Sequence, residues 1–222
     1  GRALKLISLY GNKILLMHQA DWISGWILNK WELGEEGNNL RMGWEISNRS
    51  WPVTFNNSKL LNCLPKIVSS GHIMGNICNK KANQLNLPKN LKVIAGTTDS
   101  NAGVLAAFEN KNDGITILGS TIVIKKFVKK PLSGKGISNH KLLGNWLCGG
   151  ASNAGAAILL DLFNHEYIKE LSKQINPAKS TGIDLIPLSK QGERFPIDDP
   201  DLQPKLEPRP VSDSLYLHAI FE

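Results

Sequence analysis

Apolar positions along the chain fall into short periodic runs separated by glycine, proline and asparagine. In NKILLMHQADWISGWILNK, residues 12–30, Leu16, Ala20, Ile23 and Ile27 recur at steps of four, three and four. That spacing draws one apolar stripe and predicts a helix, with Asn12 placed to cap it. Residues 34–50 are polar and Gly-rich and read as a loop. Leu60, Leu61 and Leu64 suggest a second helical segment, limited by Pro65. PKIVSSGHIMGNI reads as extended chain broken by Gly71 and Gly75, and a short helix is expected at 80–86.

The stretch LKVIAGTTDSNAGVLAAFEN, residues 91–110, is more specific. Val93, Ile94 and Ala95 predict a short buried strand. Gly96, Thr97 and Thr98 form a small-residue turn, and helix-forming alanines and leucines follow from Asn101. Strand, turn and helix in that order place Asp99 at the helix's N-terminal end, at the carboxyl edge of a sheet, where open α/β sheets bind ligands. In GITILGSTIVIKKF, residues 114–127, two β-branched runs flank Gly119-Ser120-Thr121 and predict a hairpin. Residues 131–145 read as turns. NWLCGGASNAGAAILLDLF, residues 145–163, reads as one buried helix capped by Ser152 or Asn153, with a start so rich in Gly and Ala that a backbone or a ligand could approach closely. An amphipathic helix is expected at 165–175. Six of the eleven prolines lie between Pro187 and Pro210, which excludes regular helix or central strand there. SDSLYLHAIFE then opens a helix. The abrupt start and end imply a fragment of a longer protein.

Composition narrows the function classes. The chain has 222 residues, 41% of them apolar, enough for a sizeable core and against general disorder. No apolar run approaches the ~20 residues needed to span a bilayer, and the N-terminus lacks a signal-peptide pattern. Cys63, Cys78 and Cys148 are scattered and odd in number, fitting free thiols in a reducing, cytoplasmic setting. No Cys or His pair has zinc-site spacing. The net charge is +7, which raises the question of nucleic acid. The densest cluster, Lys125, Lys126, Lys129 and Lys130, is not interleaved with aromatics as a base-stacking surface requires, and reads as solvated surface.

Four segments, AGTTDSNAG at 95–103, LGSTIVIK at 118–125, CGGASNAGAAIL at 148–159 and GERFPIDDPDLQPKLEPRP at 192–210, together resemble the FGGY family of carbohydrate kinases. The last two, with HQADWISGWI and NNLRMGWE, look like the ribulokinase- and xylulokinase-like branch of photosynthetic organisms. The resemblance implies an α/β fold, the ribonuclease-H-like (actin-like ATPase) two-domain kinase fold, incomplete here at both ends. Residues 1–112 would be the latter part of the sugar-binding domain and residues 113–222 the beginning of the nucleotide-binding domain. The Asp-x-Gly-Thr phosphate loop and the Gly-rich adenosine loop would lie upstream and downstream.

By that resemblance Asp99 matches the catalytic base, able to take the proton of a sugar hydroxyl as it attacks phosphorus. From the residues alone, capping of the following helix is the favoured reading of Asp99. Ser100 and Asn101 match sugar-binding positions, or else satisfy free N–H groups of the first turn. Gly119, Ser120 and Thr121 match a phosphate turn, which in isolation is also an ordinary hairpin turn. Gly150 and Gly155 match nucleotide contacts, or else serve helix–sheet packing. His18, Asp21 and Trp22 face water or core and stay outside the site. The implied partners are a small sugar and ATP, with Mg²⁺ arriving on ATP, held partly by phosphate oxygens and water. Neither nucleic acid nor membrane is implied, and a homodimer is left open. The expected function is ATP-dependent phosphorylation of a ketopentose, D-ribulose ahead of D-xylulose. The alternatives are a non-catalytic sugar- or nucleotide-binding protein of the same superfold, and a basic nucleic-acid-binding domain.

Overall fold

The computed structural model describes residues 2–56, 59–110 and 112–222. The chain divides into two compact units: Gly1–Ala107 with His140–Leu147, and Phe108–Asn139 with Cys148–Glu222.

In the first unit the apolar stripe expected to make one helix of residues 12–30 is split. Helix α1 (Arg2–Tyr10) comes first and ends at Gly11, whose φ of 75° is a left-handed cap conformation. Helix α2 (Gln19–Leu28) follows only after an extended stretch and ends at Asn29 in the left-handed region. Leu16 lies outside α2 and is buried with Leu60 and Cys63. Within α2 the buried residues are Asp21 and Gly25, while Ile23 is exposed. The stripe fails as a helix face because Gly25 seats the Trp31 ring and Asp21 meets the next segment. Residues 34–50, expected as loop, contain the end of β1 (Leu33–Glu35), the short helix α3 (Glu36–Asn39) and a 3₁₀ turn at Leu40–Met42. The segment expected to be helical around Leu60 is a 3₁₀ turn, Leu61–Cys63.

Strand β1 pairs in parallel with β2 (Lys66–Val68). Strand β3 (Ile73–Asn76) pairs antiparallel with β4 (Lys92–Ile94), with helix α4 (Asn79–Leu85) between them. Helix α5 (Asp99–Ala107) follows β4 as the sequence predicts.

A polar network sits inside this unit. Asp21 accepts hydrogen bonds from Glu35 N–H at 2.9 Å and Asn39 Nδ2 at 2.7 Å. Glu35 in turn accepts from Gly37 N–H and Asn38 N–H, both at 2.8 Å, and from Ser70 Oγ at 2.7 Å. Asp21, Glu35 and Asn39 are all buried. Burial obliges these groups to find partners in the protein, so the network fixes α2, β1, α3 and the segment after β2 together.

The second unit begins with the predicted hairpin. Strands β5 (Gly114–Leu118) and β6 (Ile122–Val128) pair antiparallel, with Leu118 opposite Ile122. Strands β7 (Ser138–Leu142) and β8 (Asn145–Ser152), whose residues 140–147 belong to the first unit, follow in a four-stranded sheet of order β5-β6-β8-β7. Two expectations are corrected here. Residues 131–145 contain a strand, since pairing with β8 overrides the weak strand propensity of SNHKL. Residues 145–163 are a strand followed by the short helix α6 (Ala157–Leu162), not one helix. Adjacent glycines oppose helix, and Gly149 lets the Ile124 carbonyl approach closer than any Cβ would allow. Strand alternation also buries Lys125, whose stem lies over Gly149, while Lys126, Lys129 and Lys130 are exposed. The lysine cluster is therefore not wholly solvated.

Helices α7 (His165–Ser172) and α8 (Asp213–Phe221) are capped by Asn164 and Ser212. They pack Phe163, Leu171, Tyr216, Leu217 and Ile220 into one apolar core. The proline-rich segment is an ordered wrap held by bridges Ile186–Lys205 and Glu193–Asp199, and Tyr216 donates its hydroxyl to Leu206 O at 2.9 Å.

Burial pushes the carboxyls of Asp21 and Glu36 above their ordinary values, although hydrogen bonds oppose it: Glu35 N–H and Asn39 on Asp21, the Ser69 side chain on Glu36. A raised folded pKa adds stability that is full below about pH 4 and is lost as pH rises through the folded value. Glu36→Gln is therefore expected to gain stability relative to wild type between pH 4 and pH 7, read from urea midpoints; a difference that does not change with pH refutes it. Asp21→Ala leaves two buried donors unpaired and is expected to cost about 3 kcal/mol in the same assay.

Candidate functional site

The candidate residues fall on both units. On the first, β4 leads through Ala95 and the Gly96-Thr97-Thr98 turn into α5. The capping group is Thr98: its Oγ1 accepts from Asn101 N–H at 3.4 Å, and its carbonyl accepts from Ala102 N–H at 2.9 Å. Asp99 thus sits within the first turn, exposed, with Oδ1 accepting from the adjacent Ser100 N–H at 2.8 Å. A carboxylate there is favoured by the helix dipole. Ser100 is half-buried beside it. Asn101 is fully buried and its amide donates to Thr97 Oγ1 at 3.4 Å.

On the second unit the structure brings Gly119 and Gly155 to one cavity of about 220 Å³. Its walls are apolar, among them Leu118, Ile122, Leu159 and Ile220. The Gly119–Thr121 turn is bridged by Gly119 N–H donating to Thr121 O at 3.1 Å. Ala156 N–H donates to Gly119 O at 2.8 Å, joining this turn to the one between β8 and α6. Gly155 lies so close to the first turn that a Cβ on it would stand 2.6 Å from Ser120 O and Thr121 Cα. Gly150 lies on β8 under the Phe195 ring, where a Cβ would stand 2.2 Å from the ring carbon Cγ. At Gly119 a Cβ would meet only Thr121 O, at an ordinary 3.6 Å.

The β8–α6 turn is anchored by residues that sequence reading placed elsewhere. Ser152 and Asn153, expected as helix caps, do not cap α6, whose N-cap position is Ala156. They bond Glu193 instead: Ser152 Oγ donates at 2.7 Å and Asn153 N–H at 2.8 Å. Arg194 N–H and Phe195 N–H add donors at 2.6 and 3.2 Å. Burial by itself raises the Glu193 pKa, but the bonds from Asn153, Ser152, Arg194 and Phe195 together hold it below the usual carboxylate value. Glu193 was legible only as part of GERFP; no local pattern joins it to residues some forty positions earlier.

These contacts separate two glycines by what they do. Gly155→Ala must displace backbone and is expected to lower Tm by roughly 5 °C, an overpacking cost of about 1–3 kcal/mol. Gly119→Ala is expected to shift Tm by less than about 1 °C, because the fold leaves room for the methyl. Thermal unfolding of the two variants checks this, and equal shifts would contradict it.

No family model matches the chain. Solved structures do. The glycerol kinase of Plasmodium falciparum, solved with ADP, matches at TM-score 0.77 and 14% identity, over 99% of this chain and 48% of that one. The xylulose kinase of Rhodospirillum rubrum matches at 0.73 and 15%, over 98% and 48%. The gluconate kinase of Lactobacillus acidophilus matches at 0.71 and 14%, over 90% and 44%. The chain spans about half the length of the solved structures it matches. It has the α/β, ribonuclease-H-like (actin-like ATPase) fold of these carbohydrate kinases.

Proposed function

We propose that the full-length protein is an FGGY-type carbohydrate kinase that transfers the terminal phosphoryl group of ATP to a ketopentose, D-ribulose ahead of D-xylulose. The observation that carries this reading is the exposed carboxylate of Asp99 on the first turn of α5, in a fold shared with carbohydrate kinases over nearly the whole chain. The preference for D-ribulose rests on the sequence resemblance of the GERFP and CGGASN segments.

In this reading residues 1–112 serve the sugar and residues 113–222 the nucleotide. Asp99 accepts the proton of the sugar's primary hydroxyl as its oxygen attacks phosphorus. Ser100 borders that position, and Asn101 shapes the same turn through Thr97. In the Gly119-Ser120-Thr121 turn the Gly119 N–H closes the turn on Thr121 O, so the Ser120 and Thr121 backbone N–H groups serve the phosphate oxygens, with their hydroxyls as further donors. Gly155 keeps the second turn close to the first, and Gly150 admits Phe195 behind it. The nucleotide is placed at the cavity beside this turn, which has Gly119 at its edge and apolar walls. ATP supplies the phosphoryl group. Mg²⁺ would arrive with ATP, held partly by phosphate oxygens and water. Among the described residues no helix is long and apolar enough to cross a membrane; a cytoplasmic location is part of the proposal.

The test is kinetic. Asp99→Asn in the full-length protein is expected to keep sugar affinity within about twofold and to lower turnover ~10²-fold or more. Near-normal turnover would remove Asp99 as the base. Gly119→Val is expected to raise the KM for ATP and leave that for the sugar nearly unchanged, because the side chain projects where phosphate must approach. Parallel loss of both would mark the turn as structural only.

A further inference from the structure

The GERFP segment is carried by neither the base nor the phosphate turn, yet its glutamate is the most heavily bonded carboxylate of the second unit. Glu193 is 6% exposed and accepts four hydrogen bonds, two of them from Ser152 and Asn153 in the β8–α6 turn. The attachment is reinforced from both sides. Asn153 Nδ2 donates to Gly192 O at 2.8 Å, and Arg194 Nε donates to Asn153 Oδ1 at 2.8 Å. Ser152 Oγ passes the constraint on by accepting from Ala154 N–H at 3.0 Å. One residue further, Gly155 packs on Ser120 and Thr121, and Ala156 N–H holds Gly119 O. A continuous path of hydrogen bonds and backbone packing thus runs from Glu193 to the Gly119–Thr121 turn.

We infer that Glu193 is a positioning residue for the nucleotide: its carboxylate locks the β8–α6 turn against the Gly119–Thr121 turn and so sets the geometry of the phosphate-binding backbone. The inference rests on the proposed reading of that turn as the phosphate site. A carboxylate suits the task because three backbone N–H groups converge on its Oε1 while Oε2 takes the Ser152 hydroxyl. Glutamine can offer only one acceptor oxygen to the same donors.

The test uses the full-length protein, with ADP and D-ribulose as separate calorimetric probes and amide exchange at Ser120 and Thr121 as a readout independent of either. Glu193→Ala is expected to raise the Kd for ADP at least tenfold, leave that for D-ribulose within twofold, and speed exchange at both amides. Glu193→Gln is expected to recover part of the loss. Ser152→Ala keeps the carboxylate and removes one donor, so it guards against a folding failure; it is expected to shift ADP affinity and exchange in the same direction, less strongly. Parallel loss of ADP and sugar affinity, or unchanged exchange at Ser120 and Thr121 in all three variants, overturns the positioning role. A wild-type protein that binds no ADP overturns the kinase reading, whereas wild-type ADP binding that survives Glu193→Ala unchanged overturns only the role of Glu193.

Discussion

A carboxylate removed from water must be met by donors, and in each unit of this chain that requirement fixes the local backbone. Leaving such a group unpaired costs far more than a surface contact returns. In the first unit, Asp21 and Glu35 are satisfied only if α2, β1, α3 and Ser70 adopt their observed register. In the second, Glu193 is satisfied only if the proline-rich wrap meets the β8–α6 turn. The two cases differ in charge. Burial dominates at Asp21 and raises its pKa, whereas the bonds to Glu193 outweigh burial and lower it. Glu193 therefore holds its turn as an anion across the neutral range, and its attachment does not depend on protonation there.

Glycine completes the second arrangement. Two backbone turns can approach as closely as those at Gly119–Thr121 and Gly155 only where a side chain is missing from one of them. The missing Cβ at Gly155 is consumed by protein packing, while Gly119 keeps open space in front of it and borders the cavity. Glycine thus has two meanings within one site. One residue builds the platform and the other leaves it accessible.

What was legible in the sequence follows from how local the cause is. The β5–β6 hairpin, α4, α7 and the turn into α5 are set by side-chain alternation, turn residues and caps within about ten positions, and they stand where the pattern puts them; β4 runs from Lys92 to Ile94 with Ile94 exposed, so the buried strand expected at Val93–Ala95 is only partly met. The β8 segment reads as helix because Leu147 and Cys148 are both buried, which gives no alternation to recognise, and its strand character comes from pairing with β6. The apolar stripe predicts a helix longer than α2, whose buried residues are Asp21 and Gly25. Asp99 and the Gly119–Thr121 turn could be picked out because strand, turn and helix surround them in sequence. Asp21 and Glu193 could not, since the donors that define them come from distant segments.

The placement of Asp99 shows how such anchoring reaches the chemistry. Successive residues of a helix are turned by about 100°, so residues two apart face nearly opposite sides. Asn101 is fully buried, held by the Thr97 and Thr98 hydroxyls. With Asn101 pinned inward, Asp99 is turned outward on the same helical turn, and Thr98 rather than Asp99 supplies the cap. With Thr98 at the capping position, Asp99 Oδ1 takes the adjacent Ser100 N–H rather than the amides two and three residues on. A base acts only when its oxygen lies within hydrogen-bond reach of the hydroxyl it serves. At this helix end the position of the Asp99 carboxylate is set by a buried asparagine and two threonines.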